Sequence, residues 1–211
     1  MSTTRTPAVY ADMTVSADGF ATGLEHLGPG FVRIMGWIHD TRAFHDRLGM
    51  DGGEEGPESD FVAAKFERAG AYVMGRTMFD TGEFNWGHRP PFRAPVFVVT
   101  NRPRPPLERI ETTFTFVPDV ATALEQAGAA CGDRDVHVSG GPNLLQQVIA
   151  AGELDELRLS VAPVLLGSGR QLFAWPLPAH IEMEALEVVP GPHATHIHYR
   201  IVHPSLPCQA A

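Results

Sequence analysis

The chain has 211 residues, 44% hydrophobic and 19% charged, a size and balance that suit one globular domain with a core that needs no disulfide or metal. Its 25 acidic against 16 basic residues give a net charge of −9, which argues against nucleic acid or an anionic membrane as partner but allows a small anion in a local basic pocket. Cys131 and Cys208 cannot make a disulfide framework and fit a reducing, cytoplasmic setting; Met1–Pro7 lacks a signal-like apolar run, and no stretch nears the roughly 20 residues of a membrane span.

In chain order, Val9–Val15 reads as a strand stopped by the turn pair Asp18-Gly19. Ile34, Trp37, Ile38, Phe44 and Leu48 then recur at helical spacing. Gly49–Ser59 is a glycine-rich loop whose Asp51, Glu54, Glu55 and Glu58, with Asp60 behind them, are expected to be solvated. Ser59 is the expected cap of a helix from Asp60 to about Ala69. Ala71–Met74 is a buried-type strand, Thr77–Asp80 a brief helical turn, and Val96–Val99 and Thr112–Val117 two more strands. Asp119 caps a helix to about Ala130, and strand Val136–Val138 leads through Gly140-Gly141 into a helix, Asn143–Ala150. Leu157, Leu159 and Val161 alternate along a strand; Ile181–Val189 and Thr195–Val202 form an antiparallel pair around Pro190-Gly191-Pro192.

Strands and helices interleave at first, and the end is strands alone. That order predicts an α/β domain over residues 8–203, a three-layer α/β/α arrangement with a mixed, mainly parallel eight-stranded sheet. Residues 1–7 and 204–211 are expected to be flexible tails.

Three strands end alike. Val73-Met74 runs into Gly75-Arg76-Thr77, Val98-Val99 into Thr100-Asn101-Arg102, and Val136-His137-Val138 into Ser139-Gly140-Gly141. Ligands bind open α/β sheets at the carboxyl ends of strands. Glycines there let backbone amides approach a phosphate, helix starts direct free N–H groups at it, and arginines add charge-assisted hydrogen bonds. The set suits a ligand with several phosphates along a cleft, such as a dinucleotide. G-x-G-x-x-G is absent, so the domain is not of the Rossmann type.

Four segments together resemble one family: Met13-Thr14-Val15-Ser16-Ala17-Asp18-Gly19-Phe20, Met74-Gly75-Arg76-Thr77, Val138-Ser139-Gly140-Gly141-Pro142-Asn143-Leu144, and the block Ala162–Phe173 with its Gly167-Ser168-Gly169-Arg170. It is the dihydrofolate-reductase-like group that includes the C-terminal reductase domain of the bifunctional riboflavin-biosynthesis deaminase-reductase. The resemblance implies NADPH as cofactor and no metal. Thr14 and Ala21 match positions flanking the nicotinamide; Gly75, Arg76 and Thr77 match the segment at the pyrophosphate and 2′-phosphate. Thr100, Asn101 and Arg102 match the loop at the adenosine end, and Ser139, Gly140, Gly141, Asn143 and Leu144 the second phosphate turn. Met78 stands where the family usually has threonine. The activity implied is hydride transfer from NADPH to a small ring-shaped molecule, pterin-, pyrimidine- or quinone-like; the alternative is a non-catalytic nucleotide-binding protein of the same fold. Relatives are often dimers, so a homodimer is expected.

On the substrate side the residues are less telling. Asp18, Trp37 and Trp86 are candidates, the indoles as stacking walls for a flat ring, with core packing the competing reading. Asp40 and Asp46 are the acids nearest to where dihydrofolate reductases carry a carboxylate. His193, His196 and His198 lack an acid or cysteine at metal-ligand spacing and are expected on a strand's solvent face. His137, in a buried-type strand, reads as a hydrogen-bonded structural histidine.

Overall fold

The computed structural model describes residues 5–25, 27–174 and 180–203, so Cys208 and most of the expected tails lie outside the described residues. The described part of the leader is anchored: Arg5 pairs with the buried Asp135. The first strand, β1 (Val9–Ser16), turns at Asp18-Gly19 into a short second strand, β2 (Phe20–Thr22). Where the periodicity suggested one helix there are two, α1 (Pro29–Asp40) and α2 (Arg42–Leu48). Thr41 divides them: its backbone is extended, and its hydroxyl donates to the Ile38 carbonyl and accepts from the Phe44 N–H.

The next helix, α3 (Pro57–Arg68), starts earlier than expected, because Pro57 is pre-set for a first helical turn. Ser59 therefore lies inside α3, and its hydroxyl accepts from Ala43 N–H instead of capping. Glu58 is likewise buried rather than solvated. Then follow β3 (Ala69–Gly75), a full helix α4 (Arg76–Trp86) where only a turn was legible, β4 (Val96–Val99), β5 (Leu107–Arg109) and β6 (Thr112–Val117). The chain continues through α5 (Val120–Ala130), β7 (Asp135–Gly140), α6 (Pro142–Ala150), β8 (Glu156–Ala162), β9 (Arg170–Gln171), β10 (Met183–Pro190) and β11 (Thr195–Ile201).

The main sheet has nine strands, not eight, in the order β10-β11-β8-β1-β7-β3-β4-β6-β5. The extra one is the three-residue edge strand β5, hidden in the sequence behind Pro103, Pro105 and Pro106. Pairing is parallel from β8 to β6 and antiparallel at both ends, and β10–β11 is the expected hairpin. A separate ribbon joins β2 to β9.

Alternation along the strands divides the core. Ala11, Met13, Val73 and Val138 pack with Leu145 and Val148 of α6 and Ala123 and Ala127 of α5. On the other face Tyr72 and Met74 pack with Trp37 and Ile38 of α1, Val62 and Phe66 of α3, and Phe79 of α4. This second face also carries a polar row. His196 and His198, on β11, belong to it, contrary to the solvent-face expectation, while His193, just before that strand, borders it and stays exposed. His196 is 2% exposed, with Nδ1 2.8 Å from Ser160 Oγ and its ring stacked on Phe61. His198 reaches Glu156 and His193 reaches Glu58, each at 2.8 Å. Among the described residues no helix is long and apolar enough to cross a membrane.

Candidate active site

The ends of β3 and β4, the starts of α4 and α6, and the ribbon strand β9 enclose a cleft of about 530 Å³. It gathers Gly75, Arg76, Thr77, Thr100, Asn101, Arg102, Gly141, Asn143 and Leu144, nine of the thirteen residues expected to bind the cofactor. Parallel pairing of β7, β3 and β4 explains the convergence: neighbouring parallel strands end at the same edge, so three endings far apart in sequence become adjacent.

The helix starts give the cleft its electrostatics. Gly75 and Gly141 are the N-caps of α4 and α6, and neither end has a side-chain cap. Their first-turn N–H groups, with the positive ends of both helix dipoles, open on the same space. A Cβ at Gly141 would meet nothing within 4 Å, so the floor there is open to a ligand. The Gly140–Gly141 peptide is cis.

The arginines are arranged in a way the sequence did not disclose. Asp80, one turn into α4, receives Arg76 Nε and, at 3.0 Å, Arg102 Nη2. Arg76 also donates to the Arg102 carbonyl at 3.0 Å, and Thr100 Oγ1 accepts the Arg102 N–H at 3.0 Å. Two cations and one carboxylate thus form a single unit at one end of the cleft. At the other, Arg170 lines the cleft from β9 and has no carboxylate partner among the described residues. Gln147, held by its amide to Asn143 Oδ1 at 2.8 Å, and Thr22 complete the wall. Arg170, Gln147, Thr22 and Asp80 were missed. A signal existed for Arg170, which follows Gly167-Ser168-Gly169; Asp80 could be found only as an acid four residues after Arg76 on a helix. Met78 also lines the cleft, and it packs against the core beneath it.

Other expected residues stand elsewhere. Thr14 is buried on the face under α1, and Ala21 packs against the α5–α6 core. Gly140 and Ser139 do not line the cleft; the Ser139 hydroxyl lies 3.2 Å from His137 Nδ1. The Asp18 carboxylate is fully used: it accepts from Ser16 Oγ at 2.6 Å and from the N–H groups of Leu166 and Gly167 at 3.1 and 2.7 Å. Those bonds, that of Ser16 foremost, pull the carboxyl down to about 2 and make Asp18 a staple between the β1–β2 turn and the loop before β9. The two tryptophans pack in the core rather than walling the cleft. Trp37 is 7% exposed and leans on Phe61 and His196; Trp86 stacks on Phe114 and meets Phe92 edge-on. Asp40 is exposed, and Asp46 pairs with Arg42 on the surface. A second hollow of about 340 Å³ lies between the end of β2, the start of α1 and the loop before β9, lined by Gly23, Gly28, Gly30, Leu166 and Ser168.

Residues 7–191 match the RibD C-terminal domain family. The chain belongs to that family. None of the curated proteins matches it. Among solved structures, a protein from Shewanella sp. PV-4 described under riboflavin biosynthesis is similar at 20% identity and a TM-score of 0.69, over 93% of this chain and 99% of that one. The diaminohydroxyphosphoribosylaminopyrimidine deaminase/5-amino-6-(5-phosphoribosylamino)uracil reductase of Thermotoga maritima is similar at 12% identity and a TM-score of 0.59. There the match spans 93% of this chain but 57% of the bifunctional protein. Dihydrofolate reductase from Enterococcus faecalis, solved with NADP(H), aligns at 13% identity and a TM-score of 0.53 over 92% and 96% of the two chains. These likenesses give a RibD C-terminal domain its dihydrofolate-reductase-like fold.

Proposed function

We propose that this RibD C-terminal domain is an NADPH-dependent reductase that passes a hydride to a small ring-shaped substrate, of pyrimidine type in the first instance. Family membership supports a reductase. The cofactor reading rests on one observation: two uncapped helix starts and three arginines converge on a single long cleft. Anions bind where free N–H groups and cations meet, and the cleft has such groups at both ends. Arg170 and the starts of α4 and α6 would hold the pyrophosphate, and the Arg76–Arg102 pair the adenosine 2′-phosphate. NADPH, when bound, supplies the hydride; the protein orients the ring and excludes water.

Titrating the intrinsic tryptophan fluorescence with NADPH tests the cofactor assignment. NADPH oxidation against pterins, pyrimidine ribosides and quinones tests the reaction. Binding with turnover on a pyrimidine is expected. Binding without turnover on any of them would make the chain a nucleotide-binding protein, and no binding would sink both readings.

A homodimer belongs to the same proposal. It is supported by β10, a whole edge strand that exposes Met183, Leu186 and Val188.

A further inference from the structure

The cofactor reading gives the cleft a direction. With the 2′-phosphate at Arg76 and Arg102 and the pyrophosphate at Arg170, the hydride-bearing ring would leave the cleft past the β2–β9 ribbon, where Thr22 pairs with Arg170. The second hollow, of about 340 Å³, begins there: Gly23 follows Thr22, Ser168 stands two residues before Arg170, and both line it. One ribbon thus borders both spaces. The start of α1 closes the far side of the hollow and comes this near because both contact residues are glycine. A Cβ at Gly30 would lie 2.9 Å from Gly23 Cα.

Leu24, Pro29 and Leu166 give the hollow apolar walls, and Leu24, 84% exposed, is a large apolar side chain that a bound ring would cover. The polar groups are few. Glu25 is the one charged residue that lines the hollow among the described residues. Among those residues neither its carboxylate nor the Ser168 hydroxyl has a hydrogen bond or ion pair. The nearest arginines in sequence serve elsewhere: Arg170 lines the cofactor cleft, and Arg33, three residues along α1 from Gly30, does not line the hollow. Nor is the α1 start an anion site. Gly28 N–H donates to the Glu25 carbonyl at 3.1 Å, Pro29 has no N–H, and Phe31 and Val32 donate to the Gly28 carbonyl, which leaves that of Gly30. Glu25 also brings its own charge to that end, with Oε2 2.9 Å from where a Cβ of Gly28 would stand.

A phosphate carries about two negative charges and needs cations or several free N–H groups to replace its water. Beside the Glu25 carboxylate it meets like charge instead. A neutral ring that carries N–H groups meets an acceptor and an apolar surface. We propose that the hollow is the substrate subsite and takes an unphosphorylated ring of pyrimidine type, free or as its riboside, with Glu25 accepting a ring N–H and excluding the phosphorylated form. This rests on the reductase reading above. It separates this chain from the Thermotoga maritima reductase, which is named for a phosphoribosylamino compound.

Calorimetric titrations of the full chain saturated with NADP+ test the proposal, using 5-aminouridine beside its 5′-monophosphate and uridine beside uridine 5′-monophosphate. The wild type should bind each nucleoside about tenfold more tightly than its nucleotide. Glu25→Gln keeps the shape and removes the charge. It should weaken the nucleosides and strengthen the nucleotides until each pair lies within about twofold, a reversal that a merely structural role for Glu25 would not produce. Leu24→Trp, which crowds the hollow from an exposed position, should remove nucleoside binding and leave NADP+ affinity as in the wild type. Nucleotides bound as tightly as nucleosides by the wild type, an unchanged preference in Glu25→Gln, unchanged nucleoside affinity in Leu24→Trp, or no nucleoside bound by the loaded wild type would each overturn the proposal. A chain that binds neither NADPH nor NADP+ sinks the reductase reading instead. The same pairs titrated without cofactor, with Leu24→Trp as the control, then still decide whether the hollow takes the unphosphorylated ring.

Discussion

Asp80 sets how much positive charge the cleft can offer. By receiving both Arg76 and Arg102 it cancels one of their two charges and fixes the planes of both guanidinium groups, so the pair meets a ligand already oriented. Arg170, with no carboxylate beside it among the described residues, keeps its full charge. The two ends should therefore differ in what they recognise. Arg76→Ala and Arg102→Ala should each weaken NADPH about tenfold and NADH little, because only NADPH carries the 2′-phosphate. Arg170→Ala should weaken both cofactors about equally, because both carry the pyrophosphate. Fluorescence titrations with the two cofactors check both expectations; equal loss of NADPH and NADH in the first two variants would remove the 2′-phosphate assignment.

His137 makes a second prediction at this scale. Its folded pKa, about 4, lies below its ordinary 6.5, so between those values the unfolded chain binds a proton that the folded one does not. Stability should fall as pH drops from 6.5 toward 4, by about 3 kcal/mol at most from this group. Thermal melts across that window should show a steeper pH dependence for the wild type than for His137→Gln. A steeper slope in the variant would contradict the buried neutral ring.

Among elements, the β2–β9 ribbon matters more than its five residues suggest. It holds Arg170 over the cleft, and two devices fix it. Asp18 staples the Leu166–Gly167 backbone, and Gly169, at φ +138°, lets β9 come close to β2. A Cβ at Gly169 would lie 2.1 Å from the Thr22 carbonyl oxygen, which is backbone and cannot swing aside. Gly169→Ala should cost about 2 kcal/mol in unfolding free energy and lower cofactor affinity to the level of Arg170→Ala. Denaturant melts and titrations measure the two effects; full affinity in this variant would mean that β9 does not position Arg170.

The elements also differ in how far they could be read ahead. The long strands were legible because a central parallel strand buries both faces and leaves a continuous apolar run, as in Ala71–Met74 and Val96–Val99. Helix α4 was legible only as a turn, since Gly82 and Asn85 weaken its pattern; its tertiary partners hold it, with Phe79 against Phe114 and Phe116 and Trp86 against Phe92. Strands β5, β2 and β9 have two or three residues each, too few for any period to show.

For the molecule as a whole, the net charge of −9 is an average over unlike regions. Carboxylates crowd the loop after α2, while the cleft gathers three arginines and a single carboxylate partner. The other end of the sheet is apolar and exposed along β10, where Val188 is 58% exposed. If two chains meet through that edge, sedimentation equilibrium should give the mass of two chains for the wild type and of one for Val188→Glu. A monomeric wild type would end the dimer proposal.

By itself the sequence determined the fold class, the order of the long elements and the three strand endings that supply most of the cleft. Those features follow from local patterning: burial of both faces of parallel strands, glycine at the turns, helix starts directly after them. Tertiary structure alone decided the charge pairing and the direction of the polar side chains. Asp80 between two arginines, Arg170 across from them, Asp18 consumed as a staple, both tryptophans in the core and Ser139 turned toward His137 all depend on residues from separate elements meeting. A polar side chain's role is set by the partner that uses up its hydrogen bonds, and that partner is chosen by packing.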